Sequence, residues 1–260
     1  MPIPSRECNT LSLWLASPDE LLSGDNLKEC WSILSVEEQS RAERYVNERD
    51  RRAFLAAHAL VRIALSYFHP LALEAWRFSA NSYGKPEVIQ ECGLQFNLAH
   101  SAKLVACLVS YGVAVGVDVE PNESARAIIE IASEVFSSIE LSQLQALPAR
   151  ERLDRALSLW ALKEAYVKAR GTGFSLNLKK FSFAFGEDKR LTLESDQSGA
   201  RDGMHWWSCI FEHREHRIGL VTNQTPEPLL QICEIRSLQD IPIWRKALEK
   251  QWFPSSTGSH

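Results

Sequence analysis

No stretch of the 260-residue chain is apolar for long enough to cross a bilayer. Its longest mostly apolar run, Leu104 to Val117, is interrupted by Ser110, Tyr111, Gly112 and Gly116, and it falls short of the roughly 20 residues that a spanning helix needs. No membrane association is expected. A surplus of positive charge is also missing: 29 Lys and Arg stand against 33 Asp and Glu, for a net charge of −4, so nucleic acid and other polyanions are not expected partners. The six cysteines, Cys8, Cys30, Cys92, Cys107, Cys209 and Cys233, form no CxxC pair, and Met1 to Arg6 lacks the basic and apolar regions of a secretory leader. Reduced thiols in a cytoplasmic protein are the expectation. Cys209, His213 and His216 have loosely ligand-like spacing. Without an evident fourth ligand they read as ordinary strand and turn residues, not a zinc site. Low-complexity segments and short-period repeats are absent too. What is present is ordinary globular material, 45% hydrophobic and 24% charged, enough for one large domain or two of about 100 to 150 residues.

The hydrophobic pattern divides into helix-rich and strand-rich blocks. Leu11 to Leu15 alternates as a strand does, and Ser17-Pro18-Asp19-Glu20 turns it into a helix. Ser35-Val36-Glu37-Glu38 has the form of a capping box. Phe54, Ala57, Leu60, Val61, Ala64 and Leu65 recur at helical spacing until His69-Pro70. Leu94 to Leu98 reads as a strand, and Leu104 to Ser110 with Val113 to Val119 reads as a hairpin about Tyr111-Gly112. Helices are expected again over 125–145 and 150–170, ended by Gly171-Thr172-Gly173. Strands follow at 181–185, 191–193, 206–211 and 218–222, then an apolar helix near 241–248 and a polar tail. This order predicts an α+β fold of two similar halves, 1–112 and 113–225, with an extension over 226–260.

Three groups of residues carry chemistry. In Gly116-Val117-Asp118-Val119-Glu120 the acids are two apart, so on a strand both carboxylates share one face and the valines the other. Alone, that pattern reads more readily as a solvated strand end. On the helix Trp160-Ala161-Leu162-Lys163-Glu164-Ala165-Tyr166-Val167-Lys168, Glu164 and Lys168 lie one turn apart, an arrangement open to a surface ion pair. Glu164 beside the two strand acids would instead complete an oxygen site for Mg²⁺, a hard ion that also takes ligands from substrate phosphate; Mn²⁺ suits the same donors. Cations come from Lys85 in the loop Gly84-Lys85-Pro86 and from Arg41, Arg44, Arg49, Arg51 and Arg52, whose guanidinium groups can hold phosphate.

The ordered segments YGKPE, FNLAHS, GVDVE and WALKEAYVKARGTGFS resemble the motifs of the 4'-phosphopantetheinyl transferases of the long, surfactin-synthetase-activating (Sfp-like) type, over about Ser35 to Phe183. The resemblance implies a pseudo-dimer of two α+β halves with coenzyme A in the cleft between them. It implies transfer of the 4'-phosphopantetheine arm of coenzyme A to a serine of an apo acyl or peptidyl carrier protein, releasing adenosine 3',5'-bisphosphate. By position Asp118, Glu120 and Glu164 match the family's Mg²⁺ carboxylates, and Lys168 matches the lysine near the pyrophosphate. His100 and Lys85 match coenzyme-binding positions, as does Arg41 near the 3'-phosphate. Two departures are visible. Ala99 replaces a hydroxyl residue, leaving Ser101 as the nearby hydroxyl, and Glu38 stands where a basic coenzyme contact is usual, which assigns the 3'-phosphate to Arg41 and Arg52.

On this reading Glu164 is the base for the carrier serine, while Lys168 stabilises the departing phosphate. Between Lys163 and Lys180, five cations (Lys163, Lys168, Arg170, Lys179, Lys180) face one acid, and Phe174 and Leu176 add apolar surface. An acidic carrier would dock there by charge steering. Internal duplication predicts a monomer. The alternatives from other classes are a non-catalytic coenzyme A or carrier-binding module of the same fold and a Mg²⁺-dependent phosphodiesterase.

Overall fold

The computed structural model describes residues 9–173, 176–186, 191–195 and 205–238. Its chain repeats one plan twice. In the N-terminal half a strand, β1 (Thr10–Ala16), leads through the short helices α1 (Pro18–Leu21), α2 (Asn26–Ser32) and α3 (Val36–Glu43) to the long helix α4 (Glu48–Phe68). A small hairpin, β2 (Phe78–Ala80) with β3 (Pro86–Val88), precedes the pair β4 (Leu94–His100) and β5 (Val105–Tyr111). The second half follows suit with β6 (Val115–Pro121), α5 (Ala125–Glu130), α6 (Ala132–Val135), α7 (Ser138–Ala146) and the long helix α8 (Ala149–Arg170). It closes with the small hairpin β7 (Phe181–Phe185) and β8 (Leu191–Ser195) and the pair β9 (Trp207–His213) and β10 (His216–Thr222). In each half the last strand returns antiparallel to the first, giving the orders β1-β5-β4 and β6-β10-β9.

The repeat extends to side chains. Ser35 opens α3 with a capping box, its Oγ accepting from the Glu38 amide while its own amide donates to Glu38 Oε2 at 2.8 Å. Ser137 and Glu140 open α7 in the same way. Each capping glutamate then holds a cation on the following long helix, Arg62 for Glu38 at 2.6 Å and Lys163 for Glu140 at 2.8 Å. One carboxylate thus satisfies an orphan helix amide and ties a short helix to a long one.

Apolar side chains form three clusters. One lies between α4 and the outer face of the first sheet, where Trp14 and Ala16 join Phe54, Leu60 and Leu65. A second packs α8 against the second sheet and the hairpin Phe181 to Phe185. The third lies between the sheets, with Leu11, Leu13 and Leu15 of β1 meeting Val115, Val117 and Val119 of β6. The period of two therefore turns Trp14 and Ala16 toward α4 as it turns Asp118 and Glu120 toward α8.

Three sequence expectations change. Tyr111-Gly112 does not close a hairpin: β5 pairs with β4 and β1, whereas β6 pairs with β10 in the other sheet. The valines of β6 are covered by the facing sheet, so the strand belongs to a packed layer, and Gly112 at φ 67° turns the chain between layers. The helix expected over 125–145 is three pieces, because Phe136 is extended and Ser137 starts a new cap. Within the extension a strand the sequence reading missed, β11 (Leu229–Ile235), runs parallel to β1 and adds an edge to the first sheet. The helix expected near 241–248, the tail, and Phe174 lie outside the described residues. The five described cysteines carry free thiols, and no described helix is long and apolar enough to cross a membrane.

Candidate active site

Close backbone approach builds the site. A Cβ on Gly116 of β6 would come within 1.9 Å of the Ala165 carbonyl oxygen and 2.5 Å of the Ala169 amide, and one on Gly219 of β10 within 2.6 Å of the Ala161 carbonyl oxygen. The stripe Ala161, Ala165, Ala169 on α8 presses directly on two side-chain-free positions of the sheet, which brings Glu164 and Lys168 over the strand that carries the acids. Lys168 Nζ donates to Asp118 Oδ1 at 2.6 Å. Asp118 is buried, and its Oδ2 has no hydrogen-bond partner. Glu120 Oε1 accepts from the Trp160 indole at 2.8 Å.

The electrostatics reflect crowded carboxylates. Burial, then the charge of Asp118, pushes the Glu120 carboxyl up to about 7. Burial and Asp118 likewise raise Glu164, with Lys168 opposing. Among the described residues no three His, Cys, Asp or Glu side chains already form a metal cage. The donor chemistry nonetheless fits a hard divalent cation: two carboxylates within electrostatic reach of Asp118, one buried oxygen unpartnered, and two protons favoured by burial and by the charge of Asp118. Asp118, Glu120 and Glu164 are the side chains that could hold it.

The other expected site residues take diverse places. His100 is exposed at the end of β4; partial desolvation, then the charges of Lys168 and His58, lower its imidazole, and Arg41 adds to this. Arg41 is exposed on α3 with its guanidinium over the Phe54 ring. Lys85 turns inward, its Nζ donating to the carbonyls of Val115 at 3.1 Å and Ala169 at 3.3 Å, and burial brings it down to about 8. Its loop is held by Asn81, whose Oδ1 accepts from the Tyr83 and Lys85 amides while Nδ2 donates to the Gly171 carbonyl. Ser101 Oγ is within 2.8 Å of His216 Nε2 and caps its own turn by accepting from the Leu104 amide. Arg52 is turned to α1, where it meets Asp19 Oδ1 at 3.3 Å.

Glu38 is a structural pivot, bonded to Ser35, His58 and Arg62. Lys163 is no surface cation: it is fully buried and, besides Glu140, donates to the carbonyls of Leu178 and Phe181. A charge count cannot separate a buried pair from an exposed one. Three contributors escaped the sequence reading. Trp160 orients Glu120, Gly116 admits the helix, and Asn97 accepts the Val117 amide at 2.8 Å, fixing β6 from the opposite sheet. Only the alanine spacing of four opposite a strand glycine signalled any of these.

The sequence is similar to those of known transferases. The chain is 31% identical to 4'-phosphopantetheinyl transferase Sfp of Bacillus subtilis (strain 168) over 180 residues, which cover 69% of this chain and 79% of that protein. It belongs to the 4'-phosphopantetheinyl transferase superfamily. The superfamily profile matches residues 114–221, and a profile for the N-terminal part of 4'-phosphopantetheinyl transferases matches residues 22–111. The two transferase matches meet at the turn between β5 and β6. Further relatives in the superfamily are 4'-phosphopantetheinyl transferase HetI of Nostoc sp., 31% identical over 63% of this chain and 69% of that protein, and 4'-phosphopantetheinyl transferase 1 of Fusarium mangiferae, 32% identical over 63% and 66%.

Proposed function

We propose that the chain transfers the 4'-phosphopantetheine group of coenzyme A to a serine of an apo acyl or peptidyl carrier protein and releases adenosine 3',5'-bisphosphate. The observation that carries this reading is the convergence of Asp118, Glu120 and Glu164 with Lys168 from a strand and a helix of a superfamily member. The charge of Asp118 reaches both Glu120 and Glu164, which supports this reading over the non-catalytic alternative.

The serine Oγ attacks the phosphorus that carries the pantetheine arm, and the bond from that phosphorus to the bridging oxygen breaks. Glu164 takes the serine proton; a carboxylate raised above its ordinary range by burial is a stronger base than a solvated one. Lys168, held ready by Asp118, meets the negative charge that develops on the leaving phosphate. Trp160 keeps Glu120 from turning away from Asp118. Mg²⁺, held by Asp118, Glu120 and Glu164, would neutralise pyrophosphate charge when bound, and Mn²⁺ suits the same oxygens. His100 and Arg41 line the coenzyme side. Lys85 and Ser101 act there by fixing the loop and turn that join the two halves.

An acidic carrier is proposed to dock beside Lys179 and Lys180, both exposed in the turn before β7. A monomer in the cytoplasm is the proposed working form, supported by the internal repeat and by the free thiols. The test is mass spectrometry of a panel of apo carriers incubated with the protein, coenzyme A and Mg²⁺. One carrier gains the mass of a phosphopantetheine; no gain on any carrier overturns the reading.

A further inference from the structure

The acid at position 38 prepares a second group for the coenzyme. Glu38 Oε1 lies 2.7 Å from His58 Nδ1, and Glu38 Oε2 is held by the buried Arg62 at 2.6 Å. A carboxylate fixed from the other side by an arginine can only present its free oxygen one way, so it sets the orientation of the His58 ring and keeps the Nδ1 proton in place. His58 Nε2 is then a donor without a partner among the described residues, on a side chain that remains 24% exposed. The ring is further braced by Phe54, 4.1 Å away between centroids, and Arg41 covers the same Phe54 ring at 5.3 Å. Arg41 and His58 thus flank one Phe54 ring as a wall of donors, and the charges of both reach His100.

These groups adjoin the carboxylate end of the site through His100. Glu120 and Glu164 feel Asp118 and Lys168, while His100 feels Lys168 from that end and His58 and Arg41 from the other. Coenzyme A carries two phosphate groups that need separate neutralisation: the pyrophosphate, where the reaction occurs, and a phosphate monoester on the ribose. With the pyrophosphate at the carboxylates and Lys168, the monoester is the anion left for the wall.

We propose that His58, oriented by Glu38, is a direct ligand of the coenzyme's 3'-phosphate and selects coenzyme A over its dephospho form. This deepens the proposed transferase reading and rests on it. The Glu38–His58 pair does the work of the basic residue that the family carries at position 38, with the donor moved to the neighbouring helix and the acid behind it.

The experiment compares coenzyme A with dephospho-coenzyme A as substrates for the full chain and for His58→Gln and His58→Ala. Binding of adenosine 3',5'-bisphosphate is measured by calorimetry alongside. His58→Gln, close in size, is expected to raise KM for coenzyme A about tenfold with kcat within about twofold, a loss in the range of one charge-assisted hydrogen bond. KM for dephospho-coenzyme A stays unchanged, which also shows that the variant is folded. His58→Ala loses at least as much selectivity. An equal rise in KM with both substrates, or undiminished selectivity in both variants, overturns the assignment of His58 while leaving the transferase reading intact. If the unaltered chain binds neither coenzyme A nor adenosine 3',5'-bisphosphate, the transferase reading fails and this assignment with it.

Discussion

Lys168 Nζ lies 2.6 Å from Asp118 Oδ1, joining α8 to β6 across fifty residues of chain. With this ion pair held, Glu164 stands one turn earlier on the same helix as the base for the carrier serine. Glu164→Gln keeps the side chain's shape and removes the proton acceptor. Transfer measured by carrier mass is expected to fall at least about 100-fold, with adenosine 3',5'-bisphosphate still bound. Full activity in this variant would sink the base assignment.

The ion pair depends on how closely the helix lies on the sheet. Gly116→Ala sets a methyl against the Ala165 carbonyl, and neither backbone can yield cheaply. A loss of about 3 kcal/mol or more is expected from the shift of the urea midpoint, and activity falls because Glu164 and Lys168 move with the helix.

Lys163 offers a contrast on the same helix. Lys163→Met strands the buried Glu140 carboxylate and should cost about 3 to 5 kcal/mol of stability. Carrier KM, measured at a temperature where the variant stays folded, is expected to be unchanged, because Lys163 never reaches the surface.

Exposed lysines behave the other way. Lys179→Glu with Lys180→Glu is expected to raise KM for an acidic carrier about tenfold, leave KM for coenzyme A unchanged, and weaken the salt dependence of carrier use. A carrier KM indifferent to both substitutions would move the docking face elsewhere.

Acid should find the N-terminal capping box. Burial alone would raise the Glu38 carboxyl, but His58 and Arg62 outweigh it and hold it at about 2. A carboxylate depressed in the folded state stabilises fully above its unfolded value near 4.5, and that contribution disappears as pH falls toward 2. Thermal unfolding from pH 6 to 2.5 is therefore expected to show a stability loss of at most about 1.4 kcal/mol per unit from this group. Glu38→Gln, less stable at pH 6, should lack that component.

Local rules reached much of this molecule. The Ser35 cap, the long helices and the shared face of Asp118 and Glu120 follow from spacing alone, and the ordered motifs drew Glu164 and Lys168 to the same place, whereas the Ser137 cap went unread within the helix expected over 125–145. What spacing could not reach was partnership. Valines of β6 look the same whether the strand pairs with β5 or with β10, and only the burial of both faces decides. Leu229 to Ile235 becomes a strand because β1 offers it an edge more than two hundred residues away in sequence. Lys163 and Lys179 carry the same charge, and only the packing of Phe181 and Glu140 around one of them distinguishes a fastener from a docking contact. At Glu38 the local pattern was legible as a cap, but its second use as a brace for His58 required the neighbouring helix.

Trp14 has a bearing on the number of reactions each chain can run. With Ala16 it faces α4 from β1, the direction in which β6 turns Asp118 and Glu120 toward α8 in the other half. A faithful duplicate would have offered a second acid cluster on β1. With an indole and a methyl on that face of β1 instead, the acids belong to one half alone, and the other half is free to specialise in recognition while its twin retains the chemistry.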